Sequence, residues 1–387
     1  MQVLNNRIAD MHSTVTEWRQ DLHKHPELLF DVHRTAEFVA GKLKEFGVDE
    51  IVTGLGRTGV VGVIHGKSNR SGRVIGLRAD MDALPIVEET GKPYASTHEG
   101  KMHACGHDGH TAMLLGASKY LSEMRNFDGT VVVIFQPAEE GGGGGREMVQ
   151  DGMMERFGIQ EVYGMHNTPS MPVGKFGIRA GSIFASVDNF RIQVNGKGGH
   201  AARPHFCGDP VVTACAIVMN AQSIVSRNVD PLSSAVVSIC TINGGTTHNV
   251  IPQSVELIGT VRTLTNETRD LAEKRLCELV HSTAAAFGME AEVRYNRDYP
   301  VTFNHAAYME FAADAAASMP GIEVNRAMDP IMAGEDFAYM LEARPGAIIF
   351  IGQGDGPGLH NPRYDFNDEI IPIGINYWAK LVEHRLG

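Results

Sequence analysis

Short, wholly apolar runs alternate with helix-patterned stretches through the first half of the chain, and few architectures accommodate that alternation. Val60 to Ile64, Val74 to Leu77, Val131 to Phe135 and Val162 to Met165 show no polar side, so they read as strands buried on both faces. Thr111 to Met124 and Arg146 to Phe157 read as helices between them, and Ala36, Val39, Leu43 and Phe46, ahead of Gly47, mark an earlier one. The pattern predicts an α/β fold, a largely parallel sheet flanked by helices. Chemistry in such sheets gathers beyond the carboxyl ends of the strands.

From about Ser182 the texture changes. Phe190 to Val194, Ala235 to Ile242 and Val255 to Val261 alternate as half-buried strands do, separated by helical patterns at Asp209 to Val225 and Thr268 to Phe287. The first texture then returns, with helical patterns at His305 to Ser318, Glu335 to Leu341 and Glu369 to Leu386 and a strand at Ala347 to Ile351. The expected organisation is a discontinuous domain of residues 1–182 and 299–387 with a smaller α+β insert over 183–298.

Composition removes some function classes. Lys and Arg number 34 against 46 Asp and Glu, a net charge of −12, so the clustered positive charge that nucleic acid requires is missing. No apolar run approaches a membrane span, and MQVLNNRIADMHS lacks a basic start followed by an apolar stretch, so a cytoplasmic protein is expected. Cysteines 105, 207, 215, 240 and 277 are too sparse for a disulfide framework. Gly141 to Gly145 is no phosphate loop, because no Lys-Ser or Lys-Thr follows it.

The densest polar cluster is Met102 to His110, MHACGHDGH. Cys105 and His107 can project toward one ion, and both suit zinc and its divalent neighbours, although a buried cysteine is as often plain packing. In Gln136-Pro137-Ala138-Glu139-Glu140 adjacent side chains of extended backbone point opposite ways. One glutamate can then bind a cation while the other serves as general base; a solvated turn is the ordinary alternative. His166 and His360 end two further segments, and each alone reads as a loop histidine. Asp80 and Asp82 are natural orienting partners for a ligand, or caps for the turn before Pro85.

Nine strings run in order along nearly the whole chain: RQDLHKHPEL, RADMDALPI, MHACGHDGH, FQPAEEG, GKGGHAARP, HNVIP, GTVRT, AGEDF and GLHNPRYDF. Together they resemble the metal-dependent amidohydrolases that include hippurate hydrolase, N-acyl-amino-acid amidohydrolases and auxin-conjugate hydrolases. The resemblance implies two divalent ions, manganese or zinc with cobalt or nickel as further options, held by Cys105, His107, Glu140, His166 and His360. Cys105 would be shared, Glu139 would be the general base and Asp82 the orienting carboxylate. The related peptidase branch has His-x-Asp where this chain has Asp80-Met81-Asp82, which leaves the role of Asp80 open. The family's lid or dimerisation domain corresponds to the insert and would carry His200, Asn249 and Arg262. His200 would steady the oxyanion, across the interface of a homodimer, and Arg262 would clamp the carboxylate of an N-acyl or N-aroyl amino acid. The rivals are a dipeptidase or carboxypeptidase of the same superfamily, a non-enzymatic binding protein that would have lost the base, and a structural zinc protein with closed four-ligand sites.

Overall fold

In a computed structural model describing residues 6–387, the apolar runs become the centre of an eight-stranded sheet. Its order is Glu50–Leu55, Gly59–His65, Thr130–Gln136, Val74–Asp80, Glu161–Thr168, Gly346–Gly352, Lys175–Gly177 and Glu323–Asn325. The four central strands, Thr130–Gln136 through Gly346–Gly352, are mutually parallel, so their carboxyl ends meet on one edge. Gly59–His65 joins them antiparallel, as does Lys175–Gly177 at the other side, so the sheet is parallel at its heart and mixed at its margins. Val131, Val132, Val133, Ile134 and Phe135 are fully buried, as a strand covered on both faces requires. Each such side chain gains about 1.5–3 kcal/mol from leaving water.

Helix His107–Met124 is buried nearly all round, between the sheet and helices His12–Lys24 and Ile371–Leu386. Its first residue directly follows the Cys105 loop, so the layer packing that holds the helix also holds that loop.

Sequence and structure differ at several points. The helix expected from Arg146 to Phe157 is two, Gly144–Gln150 and Met153–Arg156, parted at Gly152 with φ +79°. The helix expected from Glu335 starts instead at Ala338, because Asp336 turns its carboxylate inward to Arg78, Gln136 and the Gly145 amide. Strands Glu50–Leu55 and Glu290–Arg297 and helix His12–Lys24 were not anticipated.

The chain divides into two compact units. One comprises residues up to Gly181, Phe303–Asp329 and Asp336–Gly387; the other comprises Ser182–Thr302 with Pro330–Glu335. The second unit is an antiparallel sheet ordered Ala235–Asn243, Ser254–Thr263, Asp188–Asn195, Glu290–Arg297, with helices Pro210–Ser223 and Asn266–Ala286 packed on it. Strand Ser254–Thr263 alternates strictly, and Val255, Leu257 and Val261 face its core. Asp209 and Thr265 cap the two helices by accepting first-turn amides. Among the described residues no helix is long and apolar enough to cross a membrane.

Candidate metal centre

The carboxyl edge of the parallel strands is where the polar residues collect. Asp80 ends one strand, Gln136 the next, and His166 lies near the end of a third. Their neighbours in sequence, Asp82 and the Glu139–Glu140 pair, follow at once. Cys105 and His107 reach the same edge from the start of helix His107–Met124.

Donor atoms of Cys105, His107 and His166 lie within 4.8 Å of one another, and so do those of Cys105, Glu140 and His360. The two triads share Cys105. A further group, His107 with Glu139 and Glu140, overlaps both. All five sequence-predicted ligands and the predicted base therefore fall in one cluster, buried except for the exposed His360 and partly covered Glu140.

Two imidazoles are held in a defined sense. His107 Nδ1 donates to the Asp82 main-chain carbonyl at 2.8 Å, and His166 Nδ1 donates to the Asn167 carbonyl at 2.7 Å. A carbonyl can only accept, so Nδ1 of each ring carries a proton and Nε2 is the nitrogen left to face an ion. His166 Nε2 is 3.5 Å from Cys105 Sγ, and His107 Nε2 has no hydrogen-bond partner. Glu140 Oε1 also makes no hydrogen bond, although His360 Nε2 lies 3.2 Å away. Buried polar atoms are normally paired, and these two orphans face the shared thiol.

The electrostatics point the same way. Burial, with Glu140, Glu139 and Asp80 close by, pushes the Cys105 thiol well up, so a thiolate there needs a compensating cation. Burial, with His110 adjacent, holds His166 neutral. Burial alone would push His107 down, but Asp80 and Asp82 raise it to about 10, so without an ion the ring is cationic and a metal at Nε2 would take the place of that proton among the carboxylates. Thiolate, imidazole and carboxylate donors with unpaired lone pairs fit divalent transition metals.

Asp82 does its positioning with the main chain. Its carboxylate accepts the amides of Glu139 at 2.9 Å and Glu140 at 3.1 Å, while its carbonyl orients His107. Ala138, at φ +54°, turns the chain just before that pair. The glycine run that follows is a close approach: a Cβ on Gly144 would stand 1.8 Å from the Pro137 carbonyl oxygen.

Sequence reasoning named no role for Arg78, His110, Asn167 or Asp336. Arg78 donates to Asp80 at 2.7 Å, to Asp336 at 3.0 Å and to Gln136 at 2.9 Å, all buried. His110 donates to Asp80 at 2.6 Å, and its other nitrogen lies 2.7 Å from the Asn167 amide oxygen. Burial opposes ionisation of Asp80, yet His107, His110 and Arg78 hold it well below the usual carboxylate range. Asp80 is the hub of this network and lies 3.7 Å from His107 Nε2. The three-residue step from His107 to His110 was the available signal, since it puts both rings on one helix face.

The remaining candidates belong to the second unit. His200 is exposed on the short strand Gly199–His200, paired with Val250–Ile251. The Ala202 amide donates to its Nδ1 at 3.1 Å, which leaves Nε2–H as an outward donor. Asn249 is exposed beside it, and its carbonyl accepts the Ala201 amide at 3.1 Å. Arg262 is half-buried on the sheet, donating to the Thr260 hydroxyl and, at 3.1 Å, to the Val261 carbonyl.

The sequence pattern of Peptidase family M20/M25/M40 matches residues 76–384. Hippurate hydrolase of Campylobacter jejuni is 44% identical over 377 residues, 97% of this chain and 97% of the relative. N-acetyl-L-cysteine deacetylase of Bacillus subtilis is 43% identical over 369 residues, 95% of this chain and 87% of the relative. A Bacillus subtilis crystal structure described as a dinuclear metal-binding peptidase from the M20 family aligns with TM-score 0.84 at 36% identity, covering 97% of this chain and 98% of that one.

Proposed function

The chain belongs to peptidase family M20/M25/M40 and is a hydrolase of that family, and from this premise we propose that it hydrolyses the amide of N-acyl or N-aroyl amino acids to a carboxylate and a free amino acid. The observation that carries the reading is the pair of buried donor triads sharing Cys105, with Glu139 beside them. Its relatives named for cleaving hippurate and N-acetylcysteine supply the substrate class.

Cys105, His107, Glu140, His166 and His360 would hold two divalent ions, Cys105 common to both. Ions held there would supply Lewis acidity, polarising the amide carbonyl and acidifying water. Glu139 takes the proton of the attacking water and passes it to the leaving amine, and Asp82 keeps its backbone in place. The outward Nε2–H of His200 is suited to donate to the developing oxyanion, a contribution of about 3–4 kcal/mol for one such donor. Arg262 forks onto the substrate carboxylate, and Asn249 contacts the substrate from beside His200.

The second unit is proposed as the lid and dimerisation domain, with His200 serving the partner's site. Its outermost strand, Ala235–Asn243, has a free edge that exposes Val236 and Ile242, and Val211, Val212 and Met219 are exposed on the adjoining helix. A two-fold pair would cover both. All five cysteines are free, which suits a reducing cytoplasm.

A panel tests the activity. With Mn²⁺ present, hippurate, N-acetylcysteine and other N-acyl amino acids should be cleaved with kcat/KM at least tenfold above dipeptides. The reverse order would assign the chain to peptide cleavage instead.

A further inference from the structure

The proposed reaction leaves the first of the nine strings unused, although Arg19 and His23 in it are fully buried. Four residues apart on helix His12–Lys24, they project from one face. That face meets the start of helix His107–Met124. His23 Nδ1 is 2.8 Å from Asp108 Oδ2, and its Nε2 is 3.3 Å from Glu88. Arg19 Nη1 is 3.6 Å from Asp108, and its fork grips Asp368 at 2.7 and 2.6 Å while the guanidinium stacks 4.4 Å from the Tyr94 ring.

Asp108 directly follows His107 and is itself buried. A buried carboxylate separated from its cationic partners costs several kcal/mol, so Asp108 is confined to the spot where His23 and Arg19 meet it. Successive residues of a helix are turned by about 100°. Fixing the direction of Asp108 therefore fixes the direction of His107, whose Nε2 faces Cys105 and Glu140.

We propose that His23 and Arg19 are positioning residues for the ion-binding cluster, acting through Asp108 to set the rotation of helix His107–Met124 and hence the aim of His107. The proposal rests on the metal-binding reading above. It assigns to the RQDLHKHPEL segment a function at a distance from the reacting atoms.

Two isosteres separate this role from general support. In His23→Asn the amide nitrogen stands where Nδ1 stood and can still donate to Asp108. In His23→Gln it stands where Nε2 stood and reaches Glu88 only. Mn²⁺ affinity is measured by competition with a chelating dye, alongside the thermal midpoint of each metal-free variant. The expected result is a loss of affinity of about tenfold or more in His23→Gln, the usual range for an outer partner of a ligand, and retention within about threefold in His23→Asn. Arg19→Lys should fall between them, and His23→Gln combined with Asp108→Asn should bind no more weakly than Asp108→Asn alone. Equal Mn²⁺ affinity in His23→Gln and wild type would overturn the proposal alone. So would equal losses in both isosteres that follow their thermal midpoints. A wild-type protein that binds none of Mn²⁺, Zn²⁺, Co²⁺ and Ni²⁺ would overturn the metal reading with it.

Discussion

Gly106 links Cys105 to His107, and alanine there tests how tightly the cluster is built. Two costs add. Gly106 has φ +89°, a conformation that penalises an L side chain by about 1–2 kcal/mol. A Cβ would also stand 2.5 Å from Asn167 Oδ1 and 2.7 Å from the Tyr364 hydroxyl. Neither neighbour is free to retreat, because the Asn167 amide donates to Tyr364 at 2.7 Å and to Gln353 at 2.8 Å inside the core. Overpacking of that kind costs about 1–3 kcal/mol, so Gly106→Ala should destabilise by about 2–5 kcal/mol in all. Two controls divide the sum. Gly141 has φ +86° with nothing within 4 Å of the added carbon, so Gly141→Ala should show only the backbone part, about 1–2 kcal/mol. Gly41 is helical and open, so Gly41→Ala should stabilise by about 0.5–1 kcal/mol. Denaturant unfolding of the metal-free proteins gives all three values. Equal destabilisation in Gly106→Ala and Gly141→Ala would refute the packing argument, and a costly Gly41→Ala would refute the open-space reading.

Glu139→Gln should abolish turnover while metal content by elemental analysis survives; loss of both metals would show that Glu139 is a ligand. Arg262→Ala should weaken capture of substrates with a free carboxylate, and its penalty should shrink when that carboxylate is amidated; equal penalties in a kcat/KM comparison would make Arg262 structural. Burial opposes charging of His23, but Asp108 and Glu88 raise it to about 9. A raised folded pKa means that this stabilisation is complete below about pH 6.5, the unfolded value, and is lost as pH climbs through 9. In metal-free protein His23→Asn should therefore flatten the decline of unfolding free energy between those limits; an unchanged decline would contradict a charged His23.

The central strands and their flanking helices were legible because full burial leaves only apolar side chains, as in Val131 to Phe135. The margins were not. Glu50–Leu55 is half-exposed and presents no apolar run. Glu290–Arg297 carries the alternation of its neighbouring strands, with Ala291, Val293 and Tyr295 against the core, but small Ala291 and the polar Asn296–Arg297 end leave that signal weak. Helix His12–Lys24 did carry a usable signal in Val15, Trp18 and Leu22, all buried, but Arg19 and His23 interrupt its apolar face because they serve Asp108. The site shows the same division. Cys105, His107 and the glutamate pair stand out locally as chemistry at strand ends. The Arg78–Asp80–Asp336 network was hidden, since Arg78 and Asp336 are 258 positions apart and Arg78 and Asp80 sit in a strand that otherwise reads as core.

Amide hydrolysis by this chain would depend on a pair of ions centred on Cys105. The most direct test strips the protein with chelator, titrates Mn²⁺ back and follows bound metal and hippurate cleavage together, in wild type and in Cys105→Ala. The expected result is no cleavage without metal, two ions per chain at full activity in wild type, and loss of both ions and turnover in Cys105→Ala. Undiminished cleavage by the stripped protein, or a Cys105→Ala variant that binds two ions and turns over as wild type does, would contradict it.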